Sequence, residues 1–189
     1  MNENTSVKIF AISGSLRAAS SNTSVLRAIA NIAPKNVEIS IYDGLDSLPF
    51  FSPERDTENA HPSVAELRKQ IQNADAVIVC TPEYAFGVPG ALKNALDWTA
   101  SSGDFSKRPL ALISASPLAG GADKAHAALM LTFKALDAII TEDTKLIIPI
   151  IYKKFSGDVI SDEETKEQLN SLLEALIKLV NEKRKTPIE

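Results

Sequence analysis

The sequence predicts a doubly wound α/β domain, a parallel sheet with helices on both faces. Short apolar runs rich in β-branched residues alternate with segments of helical period through five units. The first, third and fourth runs are almost continuously apolar, as strands are when helices cover both sides of them. No repeat, low-complexity tract or linker interrupts the 189 residues, so 1–189 reads as a single domain.

In order, the strands are expected at Val7 to Ile12, Val37 to Tyr42, Ala76 to Cys80, Leu110 to Ala115 and Lys145 to Ile151. The first helix should begin near Asn22. Two later helices carry the Ser-x-x-Glu spacing of a capping box, Ser63 with Glu66 and Ser161 with Glu164. Pro89 suits the first turn of a helix carrying Leu92, Leu96 and Trp98. In the last helix Leu169, Leu172, Leu173, Leu176, Ile177 and Val180 recur at three and four residues, which reads as a core-facing stripe. The one long connection runs from Asp43 to Pro62 with three prolines and the pair Phe50-Phe51. Loops of that length are functional or mobile.

Composition excludes several classes of function. A formal charge of -4 and a pI near 5.3 give no electrostatic grip on nucleic acid or an anionic membrane. The basic trio Lys183 to Lys185 falls at a helix end, where cations are expected. Nothing resembles a signal peptide or approaches the roughly 20 apolar residues of a membrane span, so a cytoplasmic protein is expected. One cysteine cannot form an internal disulfide, and two distant histidines do not suggest a metal site. Any cofactor should be organic.

Ligands of such sheets bind at the carboxyl ends of the strands, near the point where strand order reverses. The first loop there is SGSLRAASSNTS, from Ser13 to Ser24. A helix starting within it offers unpaired N–H groups and a positive dipole end. Ser13, Ser15, Ser20, Ser21, Asn22 and Thr23 add hydroxyl or amide donors, and Arg17 adds a charged fork. This reads as a cup for a terminal monophosphate. Gly14 alone does not make a G-x-G-x-x-G turn, and no P-loop is present. Serine and asparagine are also ordinary helix caps, but one cap residue would suffice for that. The second loop, TPEYAFGVPG, has prolines for stiffness, Gly87 and Gly90 for close approach, and Tyr84 and Phe86 as flat walls for a planar heterocycle.

Together, G-S-L-R-x-x-S-x-N at 14–22 and P-E-Y-x-F-x-V-P-G-x-L-K-N-A-L-D-W at 82–98 resemble the NAD(P)H-dependent FMN reductase family. The likeness extends over about 7–151. It implies a flavodoxin-like three-layer fold with a five-stranded parallel sheet in the order 2-1-3-4-5. It also implies FMN as cofactor, NADPH or NADH as hydride donor, ping-pong turnover, and no catalytic side chain, because the chemistry belongs to flavin N5. Members include quinone, azo-dye and chromate reductases, and they form homodimers or dimers of dimers. A small-molecule electron acceptor is therefore the expected partner. An FMN-binding electron carrier and a non-catalytic FMN-dependent sensor are the rival readings.

Carried over by position, the resemblance puts the FMN phosphate on Ser15, Arg17, Ser20 and Asn22, and the isoalloxazine against Pro82, Glu83, Tyr84 and Phe86. Family members usually have Asn where this chain has Ala85, so a side-chain contact at that point would be lost. The third loop, SASPLAGGADKAH, keeps Ser114, Ser116, Gly120 and Gly121, which in the resemblance meet the flavin's pyrimidine edge. It departs from the commoner Gly-Gly-x-Arg-Ala-Gln ending. Lys124 reads as a helix-surface lysine, with a pyridine-nucleotide phosphate as the alternative. Cys80 reads as a small buried thiol and His61 as a loop residue. His126 is expected at the surface or in a cap, with substrate contact as the alternative, and Glu83 as an anchor of its loop, not an acid or base.

Overall fold

The computed structural model describes residues 6–185. Five parallel strands, β1 (Val7–Ser13), β2 (Val37–Tyr42), β3 (Ala76–Thr81), β4 (Leu110–Ala115) and β5 (Lys145–Ile148), lie in the order β2-β1-β3-β4-β5. This is the flavodoxin-like order. Ile9 faces Ile39 of β2 on one side and Ala76 of β3 on the other, and Val79 of β3 faces Leu112 of β4. The chain runs outward from β1 to β2, then crosses back to β3, so the topological switch opens a crevice at the carboxyl ends of β1 and β3.

Helices α1 (Ser21–Ile32) and α5 (Glu163–Lys185) cover one face; α2 (Pro62–Asn73), α3 (Gly90–Asp97) and α4 (Asp123–Ala135) cover the other. Successive strand residues point to opposite faces. Phe10, Ile12, Val77 and Val79 therefore join Leu67, Leu92, Trp98 and Phe133 in one core, while Ile9, Ala11 and Ile78 join Leu26, Ile29, Leu172 and Leu176 in the other. β3 and β4 are buried at every position, whereas β2, at the sheet edge, alternates buried or half-buried with exposed residues along Val37 to Ile41. The apolar stripe of α5 is core: Leu169, Leu172, Leu173, Leu176 and Val180 are buried and Ile177 packs beside them.

Several local expectations are corrected. β5 stops at Ile148 and not Ile151, because Pro149 has no N–H to donate and Ile150 adopts φ +51°. Neither capping box forms. Pro62 takes the first position of α2, which makes His61 the cap; its ring nitrogen accepts from the backbone N–H of Ser63. At α5 the cap is Asp162, whose carboxylate accepts from the Thr165 N–H at 3.0 Å. Pro89 sits one residue before α3 instead of inside it. A two-stranded hairpin, β6 (Phe155–Ser156) and β7 (Val159–Ile160), has no counterpart in the sequence reading.

The long connection is fastened down. Pro49 O accepts from Trp98 Nε1 at 2.8 Å and from Asn94 Nδ2 at 3.0 Å, and Asn94 Oδ1 accepts from Phe51 N at 2.8 Å. Arg68 of α2 bonds Asp56 at 2.6 Å and the Trp98 carbonyl at 2.9 Å. Phe51 turns inward, edge-on to Trp98 with centroids 5.1 Å apart, so of the pair Phe50-Phe51 only Phe50 projects outward. No described helix is long and apolar enough to cross a membrane.

Candidate active site

Three loops at the carboxyl ends of β1, β3 and β4 meet around one cavity of about 200 Å3. Ser15, Arg17, Ser20, Ser21 and Asn22 line it from the first loop, Pro82, Glu83 and Tyr84 from the second, and Ser116 from the third. Three loops that are far apart in the chain thus contribute to a single concave surface. Ala115, Pro117, Leu118 and Ile151 complete its walls. Those four had not been singled out: apolar residues in or after a strand carry no signal that separates a wall from a core.

The first loop is shaped for an anion. Its helix makes its first turn bond from Ser24 N to Ser20 O, so the amides of Ser21, Asn22 and Thr23 precede the helical ladder, and no side chain caps them. Ser15 and Ser20 are buried beside these donors, whereas Arg17 is exposed. Ser15 Oγ accepts from Arg17 N at 3.3 Å and lies 3.5 Å from the Tyr84 hydroxyl, which joins the first loop to the second. Gly14 is held so close to α3 that a Cβ there would stand 2.9 Å from Leu92 Cδ2.

Not every predicted residue faces the cavity. Ser13 and Thr23 bond each other, hydroxyl to hydroxyl at 2.9 Å, and line a neighbouring cleft. Asn22 turns its side chain inward, its Nδ2 donating to Ala115 O at 3.4 Å and its Oδ1 accepting from Cys80 Sγ at 3.2 Å. What Asn22 can offer an anion is therefore its backbone amide. Cys80 is buried as expected, and burial pushes its thiol pKa well up. Ser114 is buried behind the cavity, 3.2 Å from His126 Nδ1. His126 is thus not at the surface: it is 8% exposed, and burial, with a smaller effect of Lys145, lowers its pKa so that it stays neutral.

Glu83 anchors its loop. One carboxylate oxygen accepts from the backbone N–H groups of Lys124 and Ala125, both at 2.9 Å, and so caps the α4 N-terminus from another loop. Lys124 is exposed and pairs with Asp123 at 3.0 Å, which fits a helix-surface role. In the third loop Gly120 is exposed, while Gly121 is buried at φ +61° against Ile147 and Pro149.

Ala85 and Phe86 stand outside the cavity at the tip of a two-residue hairpin. Tyr84 and Gly87 exchange backbone bonds of 3.1 and 3.0 Å, and both tip residues have positive φ, +50° and +59°. Turns of this kind favour Asn first because it tolerates the left-handed region. The position of Ala85 is therefore costly for backbone reasons, beyond any lost side-chain contact. Ala85→Asn is expected to stabilise the protein by about 0.5–1 kcal/mol, a fraction of the left-handed penalty. Urea unfolding checks this, and an unchanged or lower midpoint would refute it.

Among the described residues no group of three His, Cys, Asp or Glu side chains is placed to hold a metal ion. The donor set fits a phosphate monoester joined to a planar, partly apolar body. Hydroxyls, free amides and a guanidinium line the cavity together with Pro82, Tyr84, Pro117 and Leu118.

The NADPH-dependent FMN reductase family matches residues 7–153, which span all three loops. The chain belongs to that family. A quinone reductase of Escherichia coli is 34% identical over 180 residues, covering 89% of this chain and 93% of the relative. An NAD(P)H-dependent FMN reductase of Pseudomonas aeruginosa is 30% identical over 173 residues, covering 90% and 93%. The solved structure of FerB, a flavoenzyme NAD(P)H:(acceptor) oxidoreductase from Paracoccus denitrificans, aligns with TM-score 0.84 at 26% identity and covers 93% of this chain and 98% of that one. As a member of the FMN reductase family, the protein has its anion donors and its apolar walls in one crevice at the switch point, where the fold favours a ligand.

Proposed function

We infer that this protein is an FMN-dependent oxidoreductase that takes hydride from NADH or NADPH and delivers electrons to a small acceptor of the quinone type. The observation that carries the reading is the single cavity in which uncapped helix amides, Ser15, Ser20, Ser21 and Arg17 face Pro82 and Tyr84. FMN, when bound, supplies a ring that accepts hydride and passes two electrons on. The protein's own residues have narrower tasks. Arg17, the hydroxyls and the amides of Ser21, Asn22 and Thr23 hold the phosphate and fix the ligand's position along the crevice. Pro82, Tyr84, Pro117 and Leu118 give the ring apolar surroundings that exclude water.

Glu83 keeps the second loop docked on α4, and its carboxylate oxygen is already shared between two amides, which argues for positioning and not proton transfer. The buried Ser114 and His126 pair ties β4 to the first turn of α4, behind the third loop. The protein is proposed to work in the cytoplasm as a homodimer or a dimer of dimers. The exposed Phe50 and Phe86, 84% and 81% accessible in the single chain, are apolar surfaces that such an assembly would cover.

Donor and acceptor use the same open side of the crevice in turn. Initial rates measured over a grid of NADH and quinone concentrations should give parallel double-reciprocal lines, the ping-pong pattern. Intersecting lines would show that both substrates bind together and would overturn this order of events.

A further inference from the structure

Beside the phosphate cup, on the β2 side, lies a second cleft of about 360 Å3 whose β2-side residues the FMN site does not use. It shares Ser15 and Arg17 with the first cavity, so the two clefts are separated by one stretch of chain. Arg17 and Arg27 contribute to its lining from the first loop and α1, and Asp43 and Asp46 from the segment just after β2. Tyr42 and Leu45, 8% and 6% exposed, are its buried apolar surfaces, and Leu16 is an accessible one at 57%.

The charges in this cleft are not spent on one another. Asp43, Asp46 and Arg17 have no ion-pair partner among the described residues, and Arg27 pairs only with Asp158, at 3.4 Å and with both side chains exposed. Carboxylates accept from vicinal hydroxyls, a guanidinium takes a phosphate, and apolar surface takes a flat base. In open α/β sheets the carboxyl ends of the strands near the switch point are where ligands bind, and this cleft opens there beside β1 and β2. The region carries a negative field as well: the Tyr42 hydroxyl is pushed up to about 12 by burial first, and then by Asp43, Glu66 and Asp46.

We propose that this cleft binds the adenosine half of the hydride donor, with Asp43 and Asp46 accepting from the ribose hydroxyls, and that it favours NADH over NADPH. The proposal rests on the FMN reductase reading above. Arg17, at the boundary of the two clefts, lies where the donor's diphosphate would pass the FMN phosphate. A 2′-phosphate on the ribose would bring further negative charge beside two carboxylates, which disfavours NADPH.

Isothermal titration with ADP-ribose, a donor fragment that lacks nicotinamide, tests this on both FMN-loaded and FMN-free protein. One ADP-ribose should bind in each form, more tightly than 2′-phospho-ADP-ribose. The double variant Asp43→Asn, Asp46→Asn should weaken ADP-ribose by about tenfold, the loss of charged hydrogen bonds, and should erase the discrimination between the two fragments. FMN affinity should be unchanged in the variant, which also shows that it folds. Absence of ADP-ribose binding to the wild-type protein overturns the proposal. So does displacement of ADP-ribose by FMN, tighter binding of the 2′-phosphorylated fragment, or an unaltered isotherm in the variant. If FMN fails to bind while ADP-ribose binds as expected, the reading of function falls and the cleft assignment stands.

Discussion

Gly121→Ala is expected to cost about 2–5 kcal/mol of stability, the sum of a left-handed backbone penalty and overpacking. Gly121 has φ +61°, and a Cβ there would overlap Ile147 Cγ2 and stand 3.1 Å from Pro149 N and 3.3 Å from Ile148 C. Backbone atoms cannot swing aside as a flexible side chain can. The third loop would have to lift off the end of β5, and with it the bonds from Ile151 N to Ser116 O and from Ile150 N to Leu118 O. FMN affinity should fall together with stability, because Ser116, Pro117 and Leu118 line the cavity. Gly120→Ala is the control: its Cβ would meet only the Asp123 side chain, 3.2 Å away at the nearest atom, and a change within about 0.5 kcal/mol is expected. Urea unfolding of both variants decides the matter. A loss below about 1 kcal/mol for Gly121→Ala would mean that the loop yields more easily than its packing indicates.

Arg17→Ala should act on the ligand and not on the fold. The guanidinium is exposed and has no ion-pair partner among the described residues, so its removal should leave the unfolding midpoint near its original value. Loss of a charged contact with phosphate costs about 1.5–3 kcal/mol, which predicts FMN binding weakened roughly 10- to 100-fold. Asn22→Ala should show the opposite split. Its amide is buried and bonded to Ala115 and Cys80, so stability should drop while the backbone amide remains available to the phosphate. Fluorescence titration of FMN beside a denaturation curve separates the two effects. An Arg17→Ala protein that binds FMN as tightly as wild type would remove the guanidinium from the phosphate site.

The fold was legible because its determinants are local. Strand runs such as AVIVC carry β-branched residues with no polar interruption, and the leucine spacing of α5 admits only one helical face. The cluster of donors in the first loop was legible for a similar reason, since Ser15, Arg17, Ser20, Ser21 and Asn22 fall within one short stretch of sequence. What escaped the reading depends on contacts between distant segments. Glu83 was read as an anchor of its loop, but the helix it caps lies 41 residues further along, and His126 is buried by the neighbourhood of β4 and β5, which no motif around it records. The capping boxes failed because stronger local choices were adjacent: Pro62 fixed the first turn of α2, and Asp162 lay one residue closer to α5 than Ser161. Ala85 was conspicuous as a departure from the family pattern, but its backbone cost could only be seen once the turn closed between Tyr84 and Gly87.

The central claim is that the crevice between the three loops holds FMN in a form that a pyridine nucleotide reduces directly. The most direct test is an anaerobic visible spectrum of the protein with stoichiometric FMN, taken before and after one equivalent of NADH and, separately, of NADPH. The account predicts that the bound-flavin band forms and then bleaches within seconds of nucleotide addition, with no mediator present. A bound-flavin band that persists with both nucleotides would contradict it and leave an FMN-binding carrier or sensor; a spectrum of free FMN alone would contradict the assignment of the crevice itself.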